Sequence, residues 1–176
     1  MKQYQKDWLA KFGPLAVANE RRYGVPALFT LAQQLVESAW SMHKLGNNFF
    51  GIKADQAWKG PQQVQKTHEY NGQGAKYNTS AAFRGYPTEQ SAYEGHANFL
   101  RTNKRYKPAF LHSDALGFAK AVADARYATD PNYFSKLKRN IEFLGGQSVP
   151  TASVGIGAGL LLLGFAYFLM NQRTND

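Results

Sequence analysis

Apolar side chains between residues 26 and 40 recur every three or four places, at Leu28, Leu31, Ala32, Leu35, Val36 and Ala39, which predicts an amphipathic helix entered through Pro26. The same period predicts three more helices. Thr88 stands as a cap before Ala92, Tyr93, His96, Phe99 and Leu100; Ser113 or Asp114 caps Ala115, Phe118, Ala119 and Val122. Asp130-Pro131 opens a run carrying Tyr133, Leu137, Ile141 and Leu144 that stops at Gly145. From residue 54 to 86 the rhythm changes to Gly, Gln and aromatics. Short runs at 64–70 and 81–86 flank Asn71-Gly72, and this predicts a small β-hairpin lobe. The expected fold class is mainly α (α+β), a helical body with a hairpin lobe.

The pattern changes again at the C-terminal end. Residues 152–170 are 19 consecutive uncharged positions, which as a helix would reach about 28 Å, roughly the thickness of a bilayer core. The expectation is a transmembrane helix over 152–171 behind a linker at 145–151, with a polar tail at 172–176. Gly155 and Gly159 form a G-x-x-x-G pair that would let two such helices meet in a homodimer. The start of the chain, with Lys2, Lys6 and Asp7, lacks the apolar stretch of a secretory signal.

Composition narrows the classes. The 176 residues suffice for one domain with a proper core, here residues 1–144, and a net charge of +9 favours polyanionic partners. No helix-turn-helix or zinc-finger spacing accompanies the scattered Lys and Arg, so specific nucleic-acid reading is not expected. With no cysteine and no H-E-x-x-H among four histidines, the sequence offers neither a disulfide nor a metal motif, and no cofactor is expected.

The residue with the clearest chemical potential is Glu37. It falls late in the first predicted helix, where the negative end of the helix dipole disfavours an ionised carboxylate and raises its pKa. Hydrolysis of a sugar–sugar bond needs such a proton donor and commonly a second carboxylate, which Glu69 offers in the hairpin lobe. By periodicity alone Glu37 lies opposite the apolar stripe, beside Thr30 and Gln33, on a face that reads as solvated, and His96 reads as a core histidine.

Four strings in order decide between these readings: Ala32-Gln33-Gln34-Leu35-Val36-Glu37-Ser38-Ala39-Trp40, Asn48-Phe49-Phe50-Gly51-Ile52-Lys53, Phe83-Arg84-Gly85-Tyr86 and Tyr127-Ala128-Thr129-Asp130-Pro131-Asn132-Tyr133. Together they resemble the peptidoglycan-cleaving N-acetylglucosaminidases of glycoside hydrolase family 73. That resemblance implies a lysozyme-like fold and cleavage of the β-1,4 bond after N-acetylglucosamine in wall glycan. It also implies catalytic positions at Glu37, Glu69 and Tyr127, and substrate-binding positions at Asn48, Phe50, Phe83 and Arg84. Two positions depart from the family pattern, Gly95 before His96 and Arg126 before Tyr127.

The expected partners are therefore peptidoglycan glycan strands and, through the C-terminal helix, a membrane. A hydrolase of wall glycan with a single-pass anchor and no secretion signal fits a bacteriophage virion enzyme as well as a bacterial autolysin. The alternative is a catalytically inactive glycan-binding or structural membrane protein.

Overall fold

The computed structural model describes residues 1–71 and 73–150. Among the described residues five α-helices form the body: α1 (Gln3–Tyr23), α2 (Ala27–Ser38), α3 (Glu89–Thr102), α4 (Ala115–Asp124) and α5 (Tyr133–Gly145). A two-stranded antiparallel hairpin, β1 (Gln62–Tyr70) and β2 (Lys76–Arg84), projects between α2 and α3. A 3-10 run over Lys104–Leu111 joins α3 to α4.

The capping signals act as read. The Thr88 hydroxyl accepts from the Ser91 N–H at 3.1 Å, and Asp114 Oδ1 accepts from the Gly117 N–H at 2.7 Å, satisfying amide groups that a helix start leaves without partners. In the hairpin, Gln62 pairs with Arg84 and Tyr70 with Lys76, and Asn71 Oδ1 closes the turn by accepting from the N–H groups of Gln73 and Ala75.

α2 is the axial helix. It packs against α1, α4 and α5, and its polar residues Thr30, Gln33 and Gln34 are as buried as its leucines. The face expected to be solvated is therefore an interior face. Its polar groups are tolerated because they bond their neighbours: Thr30 Oγ1 donates to the Pro26 carbonyl, and the Tyr93 hydroxyl donates to Gln34 Oε1. Around this axis lies an aromatic core of Trp8, Phe12, Phe29, Phe49, Tyr93 and Phe118, all fully buried. Gly95, one of the departures from the family pattern, has the Tyr86 ring over it: a Cβ at that position would lie 2.4 Å from Tyr86.

One part of the expected fold class is corrected. Among the described residues no helix is long and apolar enough to cross a membrane, so what they form is an α+β helical domain with a hairpin lobe. Of the described helices α1 has the length, at 21 residues, but it carries Lys6, Asp7, Lys11, Glu20, Arg21 and Arg22. The expected single-pass membrane localisation and membrane partnership are corrected to the same extent: no helix among the described residues supplies the anchor they need. The expected span at 152–171, the tail at 172–176 and the Gly155/Gly159 pair lie outside the described residues. Within the expected linker, Val149 packs on the core and Pro150 comes back onto α1 beside Gly13.

Candidate active site

The end of α2, the loop after it, the hairpin and the segment before α5 enclose a cleft of about 390 Å³. Glu37 and Glu69 both line it, together with Gly51, Phe83, Tyr127 and Thr129. The two carboxyl groups enter from different parts of the chain and meet opposite surroundings.

Glu37 is the penultimate residue of α2, and its Oε1 accepts from the Tyr133 hydroxyl at 3.0 Å. Loss of hydration pushes its pKa up from the usual 4.5 to about 7, against the opposing pull of the Tyr133 hydrogen bond and of Lys44 and Lys136. The nearby Trp40 packs on Trp8 and Phe143. Gly51 lies against the other oxygen: a Cβ there would be 3.1 Å from Glu37 Oε2, and the residue has φ +64°, so backbone freedom and close approach both call for glycine.

Glu69, on β1, forms an ion pair with Lys53 and accepts from the Thr129 hydroxyl at 2.8 Å, tying the hairpin to the segment before α5. The Lys53 hydrogen bond, and then the Thr129 one, hold its pKa below the usual carboxylate value despite some desolvation. Near neutral pH one carboxyl of the cleft thus retains a proton while the other is ionised, the division of labour that general-acid hydrolysis needs.

The remaining sequence candidates separate. The Tyr127 ring lines the cleft, stacks on Tyr133 with ring centres 6.0 Å apart, and its hydroxyl donates to the Phe50 carbonyl at 2.9 Å. Phe83 lines the cleft as well. The Phe50 ring is in the core, stacked 4.0 Å from His96, so only its backbone serves the site. Asn48 is buried and clamps the loop, donating to the carbonyls of Ile52 and Arg84 and accepting from the Ile52 N–H. The Arg84 guanidinium pairs with Asp55 at 3.1 Å and lies over Trp58 and over Phe99, a residue of the cleft lining. Arg126 lines the cleft with φ +56°, a left-handed conformation that usually favours glycine.

Sequence reasoning did not single out Tyr133, Gln33 or Gly51 as site residues. Tyr133 read as an apolar-stripe residue and Gln33 as a solvated one. The available signal was the i, i+4 spacing of Gln33 and Glu37, which puts both on one helical face. Among the described residues no group of three or more His, Asp or Glu side chains is placed to hold a metal ion.

Residues 13–145 match the family model described as mannosyl-glycoprotein endo-beta-N-acetylglucosaminidase, or glucosaminidase. The chain belongs to this family, glycoside hydrolase family 73. Among relatives of this glucosaminidase domain, peptidoglycan hydrolase FlgJ of Salmonella typhimurium is 37% identical over 152 residues, covering 81% of this chain and 47% of its own. Exo-glucosaminidase LytG of Bacillus subtilis is 31% identical over 138 residues, covering 74% and 48% respectively. The chain thus spans about half the length of these curated relatives. The glycoside hydrolase domain of Salmonella typhimurium FlgJ superposes with a TM-score of 0.67 at 35% identity, covering 82% of this chain and 99% of that one. A peptidoglycan hydrolase mutant from Sphingomonas sp. A1 gives 0.70 at 31% identity, over 77% and 91%.

Proposed function

We propose that this glucosaminidase domain hydrolyses the β-1,4 bond after N-acetylglucosamine in bacterial peptidoglycan. The observation that carries the reading is one cleft holding a carboxyl that keeps its proton to about pH 7, Glu37, and an ionised one, Glu69. Relatives named peptidoglycan hydrolase and exo-glucosaminidase support the substrate class.

In this reading Glu37 gives its proton to the glycosidic oxygen as the bond to the anomeric carbon breaks. Positive charge then develops on the sugar ring, and either the Glu69 carboxylate or the substrate's own acetamido oxygen meets it. Water adds at the anomeric carbon, and its proton restores Glu37. Tyr127 holds the cleft wall through the Phe50 carbonyl and its stack on Tyr133, and Phe83 supplies an apolar surface for a sugar face. Arg105 and Arg126, both in the cleft lining, suit the carboxylates that peptidoglycan carries on its stem peptides.

The test is mass spectrometry of soluble fragments released from purified peptidoglycan by the full chain and by Glu37→Gln. Fragments with a reducing-end N-acetylglucosamine from the wild type alone are expected. Fragments ending in N-acetylmuramic acid would move the cut to the other bond, and equal release by both proteins would remove Glu37 from the mechanism.

A further inference from the structure

Behind Glu37 a line of buried polar groups runs through three helices. His96 Nε2 on α3 lies 2.7 Å from Gln33 Oε1 on α2; Gln33 Nε2 donates to the Tyr133 hydroxyl on α5 at 2.8 Å; and that hydroxyl donates to Glu37 Oε1 at 3.0 Å. His96 and Gln33 are fully inaccessible to solvent and Tyr133 is 3% exposed. Buried polar side chains are costly unless satisfied, and a satisfied chain of them has a fixed direction.

The direction here follows from the inventory of donors. A carbonyl oxygen only accepts, so His96 must carry its proton on Nε2, and this commits Gln33 Oε1 and leaves the amide N–H of Gln33 for Tyr133. The Tyr133 oxygen accepts that bond, and its single hydrogen is then free to point only toward Glu37. The rest of the imidazole is consistent with a fixed role: the ring is stacked on Phe50, and Nδ1 is buried without a hydrogen-bond partner. Burial holds the His96 pKa down to about 3, so the ring stays neutral through the working range and its Nε2–H is a permanent donor.

We propose that Gln33 and His96 are positioning residues for hydrolysis, which fix the Tyr133 hydroxyl as a donor to Glu37 Oε1 and so reserve Oε2, beside Gly51, as the oxygen that exchanges a proton with substrate. This rests on the reading of Glu37 as the acid. The groups facing Glu37 that bear on any pH effect are Tyr133 and Lys136 of α5, Lys44 after α2, Asp130 before α5, and Tyr127. His96 faces Phe29, Phe50 and Tyr127.

The experiment compares Gln33→Leu, His96→Phe and His96→Gln in the full chain. Two readouts are taken: the pH dependence of peptidoglycan hydrolysis, and a 13C NMR titration of the Glu37 carboxyl that needs no turnover. His96→Phe keeps an aromatic ring on Phe50, and His96→Gln restores an N–H donor.

Gln33→Leu and His96→Phe should raise the Glu37 midpoint by at least half a pH unit and lower kcat about tenfold with KM unchanged, because Tyr133 is no longer held as a donor. His96→Gln should recover most of both. In a Tyr133→Phe background the Gln33 change should add nothing further. Folded Gln33→Leu or His96→Phe protein with the wild-type midpoint would overturn the inference, as would shifts that add in full to that of Tyr133→Phe. If Gln33→Leu does not fold, His96→Phe alone decides. Failure of the underlying reading looks different: Glu37→Gln would then retain hydrolysis.

Discussion

The hydroxyl of Tyr133 lies 3.0 Å from Oε1 of Glu37, joining the first turn of α5 to the last turn of α2 across 96 positions of sequence. It is the strongest of the contacts that oppose desolvation at this carboxyl, and the balance leaves Glu37 with a pKa of about 7. Burial without the hydroxyl would hold the proton too tightly for transfer at neutral pH, and the hydroxyl without burial would leave an ordinary ionised glutamate.

Tyr133→Phe keeps the ring stack on Tyr127 and removes the hydroxyl that donates to Glu37 and accepts from Gln33. A hydrogen bond to the ionised form lowers a carboxyl pKa, so its loss raises it. The basic limb of the pH–rate profile should move upward by about one unit, in line with the roughly 1.5–3 kcal/mol of a hydrogen bond to a charged group. A profile unchanged in shape and only lower in height would mean that Tyr133 acts through packing.

Gly51→Ala introduces a methyl group 3.1 Å from Glu37 Oε2 at a residue with φ +64°. The left-handed backbone alone should cost about 1 kcal/mol of stability. Activity should fall by much more than that, on the order of a hundredfold, because the methyl displaces the oxygen that faces substrate and small misplacements are expensive in catalysis. Thermal denaturation beside kcat checks the claim; losses of equal size would place the effect in folding alone.

Much of this was legible from the chain. The helices containing Leu28, Tyr93, Phe118 and Leu137 follow their 3.6-residue period, and the caps at Thr88 and Asp114 are where short-range chemistry puts them. Gln33 was not legible, because periodicity assigns a polar residue to solvent and cannot register that α2 is enclosed on several sides. The surroundings of Arg84 were hidden for a related reason. A cation beside a motif suggests substrate, whereas Asp55 and the rings of Trp58 and Phe99, which claim it, are brought near only by folding of the hairpin. The proton-keeping Glu37 is intermediate: its place late in the helix was readable, its main cause, burial, was not.

Asn48→Ala removes three hydrogen bonds, two buried and one partly buried, that fasten the loop between α2 and the hairpin: two donated to the carbonyls of Ile52 and Arg84 and one accepted from Ile52. The orphaned backbone groups make the loss about 2–4 kcal/mol. Denaturant unfolding should show a lowered midpoint with an unchanged slope, and hydrogen exchange at Ile52 should accelerate. Normal stability would show that the loop holds its shape by other contacts.

Glu69→Gln tests the second carboxylate. The Lys53 ion pair is partly exposed, 53% at the lysine side chain, so its loss should change stability by no more than about 1 kcal/mol. The amide can still accept from Thr129. If the negative charge meets the developing cation, kcat should drop by at least a hundredfold while the melting temperature barely moves. A near-normal kcat would assign that role to the substrate's acetamido oxygen.

Glu37→Gln, besides abolishing hydrolysis, should alter how stability depends on pH. In the unfolded chain Glu37 releases its proton near 4.5, in the folded domain near 7. Below pH 4.5 both states hold the proton and the stabilising contribution is fully present. As pH rises through 7 the unfolded chain is ionised while the folded domain is only then forced to ionise a poorly hydrated, half-buried group, so that contribution is lost. At 1.36 kcal/mol per pKa unit the whole difference is about 3 kcal/mol as a ceiling. Glutamine is neutral throughout and can still accept from Tyr133, so the variant escapes the loss. Melting curves of the two proteins should diverge between pH 5 and pH 8, with the inactive variant the more stable at the alkaline end. Parallel curves across that range would mean that Glu37 ionises in the folded state as an ordinary surface glutamate does, and the proposed proton donor would have no proton to give at neutral pH.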